Sequence, residues 1–547
     1  MTKMNMHPRR FLTRASLTFA GVILACISPS VAAEVQSADQ VKPLLDTSHG
    51  PVRGTRSDDG EVMIFRGVRY AASTEGKRFE VPQPPASWQE PVDASTFGND
   101  CPQRPSGDVP VFASWVNNQP RSEDCLFLNI WTRGLSDGKK RPIMVWLHGG
   151  GYVTGSGSSH GYDGTRLAER GDVVVVTLNH RLNGFGYLHL GGLSDDPRYA
   201  DAGNLGSLDI IAALQWVRDN AEAIGGDLEN VTIFGESGGA AKVSTLMAME
   251  QADGLFSKAI AQSGSMSLAG FSPRLATAMA RDIFTTAGLE PGDVAGLAAL
   301  PMDEYLKVLM ASKSRAAFFR PVADGRSLKR QPFSPDATPV SADIPLLVGT
   351  NRTEMRLQGG LSDPEAFALS WEQLPGKLKP VVGDADVDAV ISGMREIYPN
   401  ADASEIYFQV ATFRNYRGTA LLQAERKSAQ NMAPVYMYRL DWETPVEGGR
   451  LKSPHALDIA FVFDNVARST SYTGTGPEQQ RMADLMSESW ISFARTGNPN
   501  TAALPEWPRY DVTNRATMIF DVEPRVLKDP DLERELLQRL LPEGRGL

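Results

Sequence analysis

Val231-Thr-Ile-Phe-Gly-Glu-Ser-Gly-Gly-Ala-Ala-Lys-Val-Ser-Thr-Leu-Met-Ala-Met249 decides how the chain folds. Val231–Phe234 is a short apolar run of strand type, Ala240–Met249 is rich in helix formers, and only Gly235–Gly239 separates them. A strand that turns so abruptly into a helix needs small residues on both sides of the turn, because the backbone is strained and its two limbs approach closely. The spacing G-x-S-x-G between a strand and a helix is that of a nucleophile elbow. It lifts the Ser237 hydroxyl clear of the sheet and aims the helix N-terminus at the space in front of it. The same glycines without that context would be an ordinary turn.

Working outward, the same alternation recurs. Ile143–Leu147 and Val173–Thr177 are almost wholly apolar, as strands covered on both faces must be. Ser207–Ala223 reads as a helix with Leu208, Ile211, Leu214, Gln215 and Val217 on or near one face, ended by Gly225-Gly226-Asp227. Further strands are expected at Lys258–Ser263 and around Leu346-Leu347-Val348, the latter leading to Asn351. The expectation is an α/β fold: a mainly parallel, doubly wound central sheet flanked by helices, with active residues on loops at the strand ends.

His148-Gly149-Gly150-Gly151-Tyr152 follows directly on the strand ending at Leu147. Consecutive glycines expose consecutive N–H groups, which suits an oxyanion hole; a flexible turn or a phosphate cradle are the other readings. The GK[ST] ending of a phosphate loop is missing, and the elbow downstream favours the oxyanion hole.

The chain has 547 residues, 42% apolar and 22% charged, enough for a large core. Residues 1–33 read as an export signal: Lys3, Arg9, Arg10 and Arg14, then the mainly apolar Ala15–Ile27, then small residues ending at Ala33. Residues 34–547 are expected to form one domain. Lipidation at Cys26 is the other export reading, and Arg9-Arg10 resembles part of a twin-arginine signal. Cleavage after Ala33 takes the formal charge from −10 to −14, which argues against nucleic acid or an anionic membrane surface as partner. No other run is long and apolar enough to span a bilayer, so a chain without a transmembrane segment, periplasmic or secreted, is expected. Cys101 and Cys125 then remain, either as one disulfide or as two buried thiols. Neither a CxxC nor an HxxxH pair is present, so no metal is expected.

With these motifs in place the chain resembles the type-B carboxylesterases, over almost all of residues 34–547. The likeness runs through Gly50-Pro-Val-Arg-Gly54, Phe65-Arg-Gly-Val-Arg-Tyr70, Ser122-Glu-Asp-Cys-Leu-Phe-Leu-Asn-Ile-Trp-Thr132, Asn179-His-Arg-Leu182, the elbow, Gln262-Ser-Gly264 and Phe493-Ala-Arg-Thr-Gly-Asn-Pro499. It implies the α/β-hydrolase fold with inserted loops and helices. It further implies Ser237 as nucleophile, Glu354 (in Asn351-Arg-Thr-Glu354) as acid and His455 (in His455-Ala-Leu-Asp458, leading to an aromatic strand at Phe461-Val-Phe463) as base. The order Ser, Glu, His is the one such a fold requires. The resemblance also implies an oxyanion hole from the N–H groups of Gly150, Gly151 and Gly238, and a Cys101–Cys125 disulfide. Three positions depart from the family pattern: Gly238 where Ala is usual, Met355 where Gly is usual, and Asp458 where Glu is common.

The implied activity is hydrolysis of a small or medium organic ester through an acyl-serine, without cofactor, by a monomer or weak oligomer. A non-catalytic binding protein on the same fold and an amidase are the competing classes. Arg352 and Arg356, on either side of Glu354, raise the question of a polycarboxylate ester such as a fumonisin-type toxin, against the plainer reading of structural arginines. Tyr152 and Trp115 are either gorge-lining or packing residues.

Overall fold

A computed structural model describes residues 42–105, 109–264, 267–313 and 319–541. The expected leader, Cys26 included, lies outside the described residues. Eleven strands form the main sheet: β1 (Thr55–Arg56), β2 (Met63–Arg69), β3 (Phe127–Thr132), β4 (Arg141–Leu147), β5 (Val174–Leu178), β6 (Gly226–Glu236), β7 (Lys258–Gln262), β8 (Leu346–Asn351), β9 (Val435–Leu440), β10 (Ala516–Phe520) and β11 (Arg525–Lys528). Their order across the sheet is β11-β10-β9-β8-β7-β6-β4-β5-β3-β2-β1. From β10 to β5 every neighbouring pair is parallel, and the pairs at both edges are antiparallel. A small separate sheet joins Leu44–Thr47, Gly50–Arg53 and Val92–Asp93.

The apolar runs of the parallel strands have a direct physical reading. Along β4, Ile143, Val145 and Leu147 enter one core and Met144 and Trp146 the other, so the strand needs apolar residues at consecutive positions rather than alternate ones. Helices α1 (Leu205–Asp219) and α2 (Gly238–Leu246) pack on the sheet, and α3 (Leu457–Val462) packs against α4 (Pro477–Thr496).

Three expectations change. α1 stops at Asp219 rather than running to Ala223: the backbone leaves the helix at Asn220 (φ −116°, ψ 8°), whose side-chain amide caps Trp216 O. Gln215, placed on the buried side, is exposed; α1 is buried almost all round, so only a narrow polar stripe faces water. Phe461-Val-Phe463 is not a strand: Leu457–Val462 is helical, with Phe463 at its C-cap. Every side chain of that run is buried, and a run without a polar face carries no periodicity to separate helix from strand.

The motif Asn179-His-Arg-Leu182 acquires a structural role. Arg181 forms a bidentate, fully buried ion pair with Asp209 of α1 (Nη2–Oδ1 2.6 Å, Nε–Oδ2 2.8 Å), fastening the loop after β5 to that helix. Cys101 and Cys125 are joined as a disulfide.

Candidate active site

The parallel strands deliver their C-terminal ends to one edge, where an open α/β sheet places its ligands. β6 ends at Glu236, the Ser237 N–H donates to Gln262 O of β7 (2.8 Å), and α2 begins at Gly238. Ser237 itself has φ 55° and ψ −120°, a backbone conformation costly for a residue with a Cβ and imposed here by the turn. A Cβ on Gly239 would overlap Leu147 O, so the x-S-x-G spacing is a packing requirement between α2 and the end of β4. Ser237 is 9% exposed, set in the floor of the site rather than on an open surface.

Glu354 follows β8 and is completely buried. Its carboxylate accepts three hydrogen bonds, from the Asn351 N–H (2.7 Å), from Ser263 Oγ (2.6 Å) and from His455 Nδ1 (2.6 Å). An ionised carboxylate only accepts, so Nδ1 carries the ring proton and Nε2 is the basic nitrogen. Nε2 lies 3.1 Å from Glu236 Oε1, and Glu236 directly precedes Ser237, so the imidazole spans from Glu354 to the elbow. The Nε2–Glu236 approach lacks hydrogen-bond alignment, since that oxygen has no hydrogen-bond partner, and its effect is electrostatic. The His455 backbone is fixed by its N–H to Glu354 O (3.3 Å) and by the Tyr472 hydroxyl, which donates to His455 O.

Three buried carboxylates therefore surround one imidazole. Burial opposes its charge, but Glu236 above all, then Glu354 and Asp458, outweigh it and raise His455 to about 9. Burial, reinforced by Asp458 and Glu354, raises Glu236 to about 8 even though His455 and Lys242 pull the other way. The charged form of each partner supports that of the other, so near neutrality the facing His455 and Glu236 hold between them one proton that isolated groups would have shed. Asp458 accepts from Gln262 Nε2 (2.9 Å) and Tyr438 Oη (2.8 Å), which ties the segment after His455 to β7 and β9.

The glycine loop lies against α2. A Cβ on Gly238 would overlap the N, Cα and O of Gly151, so the loop and the helix N-terminus touch. Gly150 and Gly151 both have positive φ, 87° and 62°. Their carbonyls are tied back: Gly150 O accepts from Val153 and Thr154 N–H, and Gly151 O from Lys242 Nζ (2.9 Å). The N–H groups of Gly150, Gly151 and Gly238 donate to no other described residue. Three unspent donors beside a serine hydroxyl have the composition of an oxyanion hole.

Ser237, Glu354, His455, Gly150, Gly151 and Gly238 are thus brought to one site. Arg352 and Arg356 are not in contact with it: they line a separate cavity with Glu405, Phe408, Lys452 and Asp531. There the Arg356 guanidinium donates to Arg450 O (2.8 Å) and lies over the Phe408 ring. Tyr152 and Trp115 are buried by packing, Tyr152 edge-on to Tyr187 and Trp115 stacked on Phe112 with its Nε1–H donated to Ser469. Sequence reasoning missed Ser263, Glu236 and Lys242. Glu236 and Lys242 were legible as unusual, being charges inside a motif whose neighbours are all destined for burial. Ser263 carried no signal beyond its place in Gln262-Ser-Gly264.

The family described as "Carboxylesterase family" matches residues 41–536. The para-nitrobenzyl esterase of Bacillus subtilis is 36% identical over 91% of this chain and 98% of its own. The fumonisin B1 esterase of Sphingopyxis macrogoltabida is 32% identical over 86% and 85%. A crystal structure of a Geobacillus stearothermophilus carboxylesterase superposes with a TM-score of 0.79 at 40% identity, covering 90% of this chain and 99% of that one.

Proposed function

Since the chain belongs to the carboxylesterase family and is a carboxylic-ester hydrolase, we propose that Ser237 is its nucleophile, His455 its general base and Glu354 the carboxylate that orients the base. The observation that carries this is the 2.6 Å hydrogen bond from His455 Nδ1 to buried Glu354, with Nε2 turned to Glu236, the residue directly before Ser237 in the elbow.

As the Ser237 oxygen attacks the ester carbonyl carbon, its proton passes to Nε2 and the carbonyl π pair moves onto oxygen. The N–H groups of Gly150, Gly151 and Gly238 receive that oxyanion. The tetrahedral intermediate collapses by breaking the bond to the leaving oxygen, which takes the proton from His455 and departs as the alcohol. Water, deprotonated by the same nitrogen, repeats the sequence on the acyl-serine and releases the acid. Glu354 and Glu236 stabilise the imidazolium formed in each half. No step needs a metal or organic cofactor.

The proposed substrate is a small or medium uncharged organic ester. Supporting this over a polycarboxylate ester, Arg352 and Arg356 line a different cavity and Arg356 is spent on Arg450 O and Phe408. The likeness to a fumonisin B1 esterase is the observation that favours the second reading. The disulfide supports an oxidising, exported location for the protein. A panel of p-nitrophenyl alkanoates, their matched anilides and a tricarballylate ester separates these readings. We expect kcat/KM to be highest for an uncharged ester and at least about 10³-fold lower for its anilide. Highest kcat/KM on the tricarballylate ester would reverse the substrate assignment, and equal turnover of anilide and ester would make the enzyme an amidase.

A further inference from the structure

Lys242 is a lysine with 0% exposure, and nothing in the chemistry above uses it. It lies on α2 one turn after Gly238, on the same face of the helix. Its ammonium donates to His148 O (2.8 Å) and Gly151 O (2.9 Å), the two ends of the glycine loop, and faces the Tyr152 ring with 5.5 Å to its centroid. Between those ends the other carbonyls are also engaged. His148 Nδ1 lies 2.8 Å from Gly149 O and can only donate to it, and Val153, Thr154 N–H and Thr154 Oγ hold Gly150 O. Every carbonyl of His148–Gly151 is thus turned to a donor, and the Gly150 and Gly151 N–H groups, opposite the carbonyls of Gly149 and Gly150, are left to a ligand.

Gly238 completes the arrangement. With a Cβ there the loop could not lie where it does, because that atom would coincide with the Gly151 backbone. Lys242 draws the loop towards α2, and Gly238 clears the surface against which it is drawn. This gives a physical reason for glycine at position 238: the loop lies too close to the helix for a methyl group.

We propose that Lys242 is a positioning residue, which with the bare surface of Gly238 holds the Gly149–Gly151 loop so that its N–H groups meet the oxyanion. The proposal rests on the reading of Ser237 as nucleophile and of the loop as oxyanion hole. Lys242 does not touch the reacting atoms; it anchors the His148–Gly149 and Gly151–Tyr152 peptides, which bracket the two peptides whose N–H groups do. Removing one donor from an oxyanion hole costs on the order of 10²–10³ in kcat, and a loop that drifts by a fraction of an ångström loses part of two donors. Burial opposes the ammonium and pushes Lys242 down to about 7, so its retention needs a local return; two carbonyl oxygens at hydrogen-bond distance supply it and accept from the amine in either protonation state.

The test is a double-mutant cycle with a transition-state analogue. Lys242→Met keeps the length of the stem and removes every donor; Gly238→Ala adds the offending methyl. Each protein is assayed for kcat and KM on p-nitrophenyl butyrate and for Ki of an alkyl trifluoromethyl ketone, whose hemiketal oxygen occupies the oxyanion site. Ser237→Ala is run alongside. We expect each single variant to lose about 10- to 10³-fold in kcat with KM within about threefold, and to lose ketone affinity in parallel. In the double variant the released loop can move away from the methyl, so the losses should combine to less than their product. A folded Lys242→Met enzyme with kcat and ketone affinity within threefold of the parent would overturn the proposal, as would strict multiplicativity in the cycle. If Lys242→Met does not fold, Lys242→Gln takes its place in the cycle, and failure of both to fold makes Lys242 a structural anchor and overturns the positioning role. Survival of activity in Ser237→Ala is the separate outcome that removes the reading beneath it.

Discussion

Glu236→Gln isolates the most unusual electrostatic feature of the site. The substitution keeps the shape of the side chain and removes one negative charge 3.1 Å from His455 Nε2. At that separation two unit charges interact by about 5 kcal/mol with an effective dielectric of ~20, equivalent to roughly four pKa units before relaxation and any sharing of the proton. His455 is raised to about 9 against the burial that opposes its charge, and Glu236 is the largest of the three carboxylates responsible. Taking the effective loss as a fraction of the bare interaction, the imidazole should fall by roughly one to two units. The sign follows from the chemistry: the base must be neutral, so activity rises with pH as the proton is lost, and a raised pKa moves that rise upward. In the parent enzyme the acid limb of kcat/KM should therefore lie above the ~6.5 of an ordinary histidine. In Glu236→Gln it should move to lower pH by about one to two units, while kcat on the plateau falls because the imidazolium loses a supporting charge. The assay is initial rates of p-nitrophenyl butyrate hydrolysis from pH 5 to 10 at constant ionic strength, with folding checked by circular dichroism. An acid limb displaced by less than about 0.3 unit would refute the electrostatic account of this pair.

Other consequences concern single contacts. Asp209→Asn leaves Arg181 buried without its counter-charge and should cost about 3–5 kcal/mol in urea unfolding, with kcat little changed in the folded fraction; a loss below about 1 kcal/mol would mean that the pair does not fasten the loop. Replacing Cys101 and Cys125 together by Ser opens a loop of sequence separation 24 and should lower stability by about 3.5 kcal/mol in the chain-entropy treatment, read as a lower urea midpoint at nearly unchanged activity. Ser263→Ala removes one of the three donors to Glu354 and should reduce kcat by about three- to tenfold with KM unchanged; an unchanged kcat would show that Asn351 and His455 suffice to hold the carboxylate.

The elements that were legible in the sequence were those whose local chemistry admits one solution. A strand-to-helix turn built from Gly235–Gly239 fixes its own conformation, and β4, β5, β6 and β8 were visible because their stretches covered on both faces are apolar at nearly every position. Family resemblance, rather than spacing, brought Glu354 and His455 to Ser237, since residues more than 100 positions apart meet only through the fold. The helix at Leu457–Val462 was misread because burial on all sides erases periodicity. Lys242 and Glu236 were passed over because a motif written as G-x-S-x-G treats the residues at and after its variable positions as filler. Their importance lies in what approaches them from elsewhere: the carbonyls of His148 and Gly151, and the ring of His455.

The central claim is that Ser237 carries the acyl group, and covalent labelling tests it most directly. The purified enzyme is treated with a fluorophosphonate probe, digested and mapped by tandem mass spectrometry, beside Ser237→Ala prepared identically. The expected result is a single phosphonylated site at Ser237, one equivalent per chain, with turnover lost in proportion to labelling. Ser237→Ala should be folded, unlabelled and slower by a factor on the order of 10⁴ or more. A stoichiometric label on another residue, or a folded Ser237→Ala enzyme that hydrolyses esters at close to the parent rate, would contradict the account.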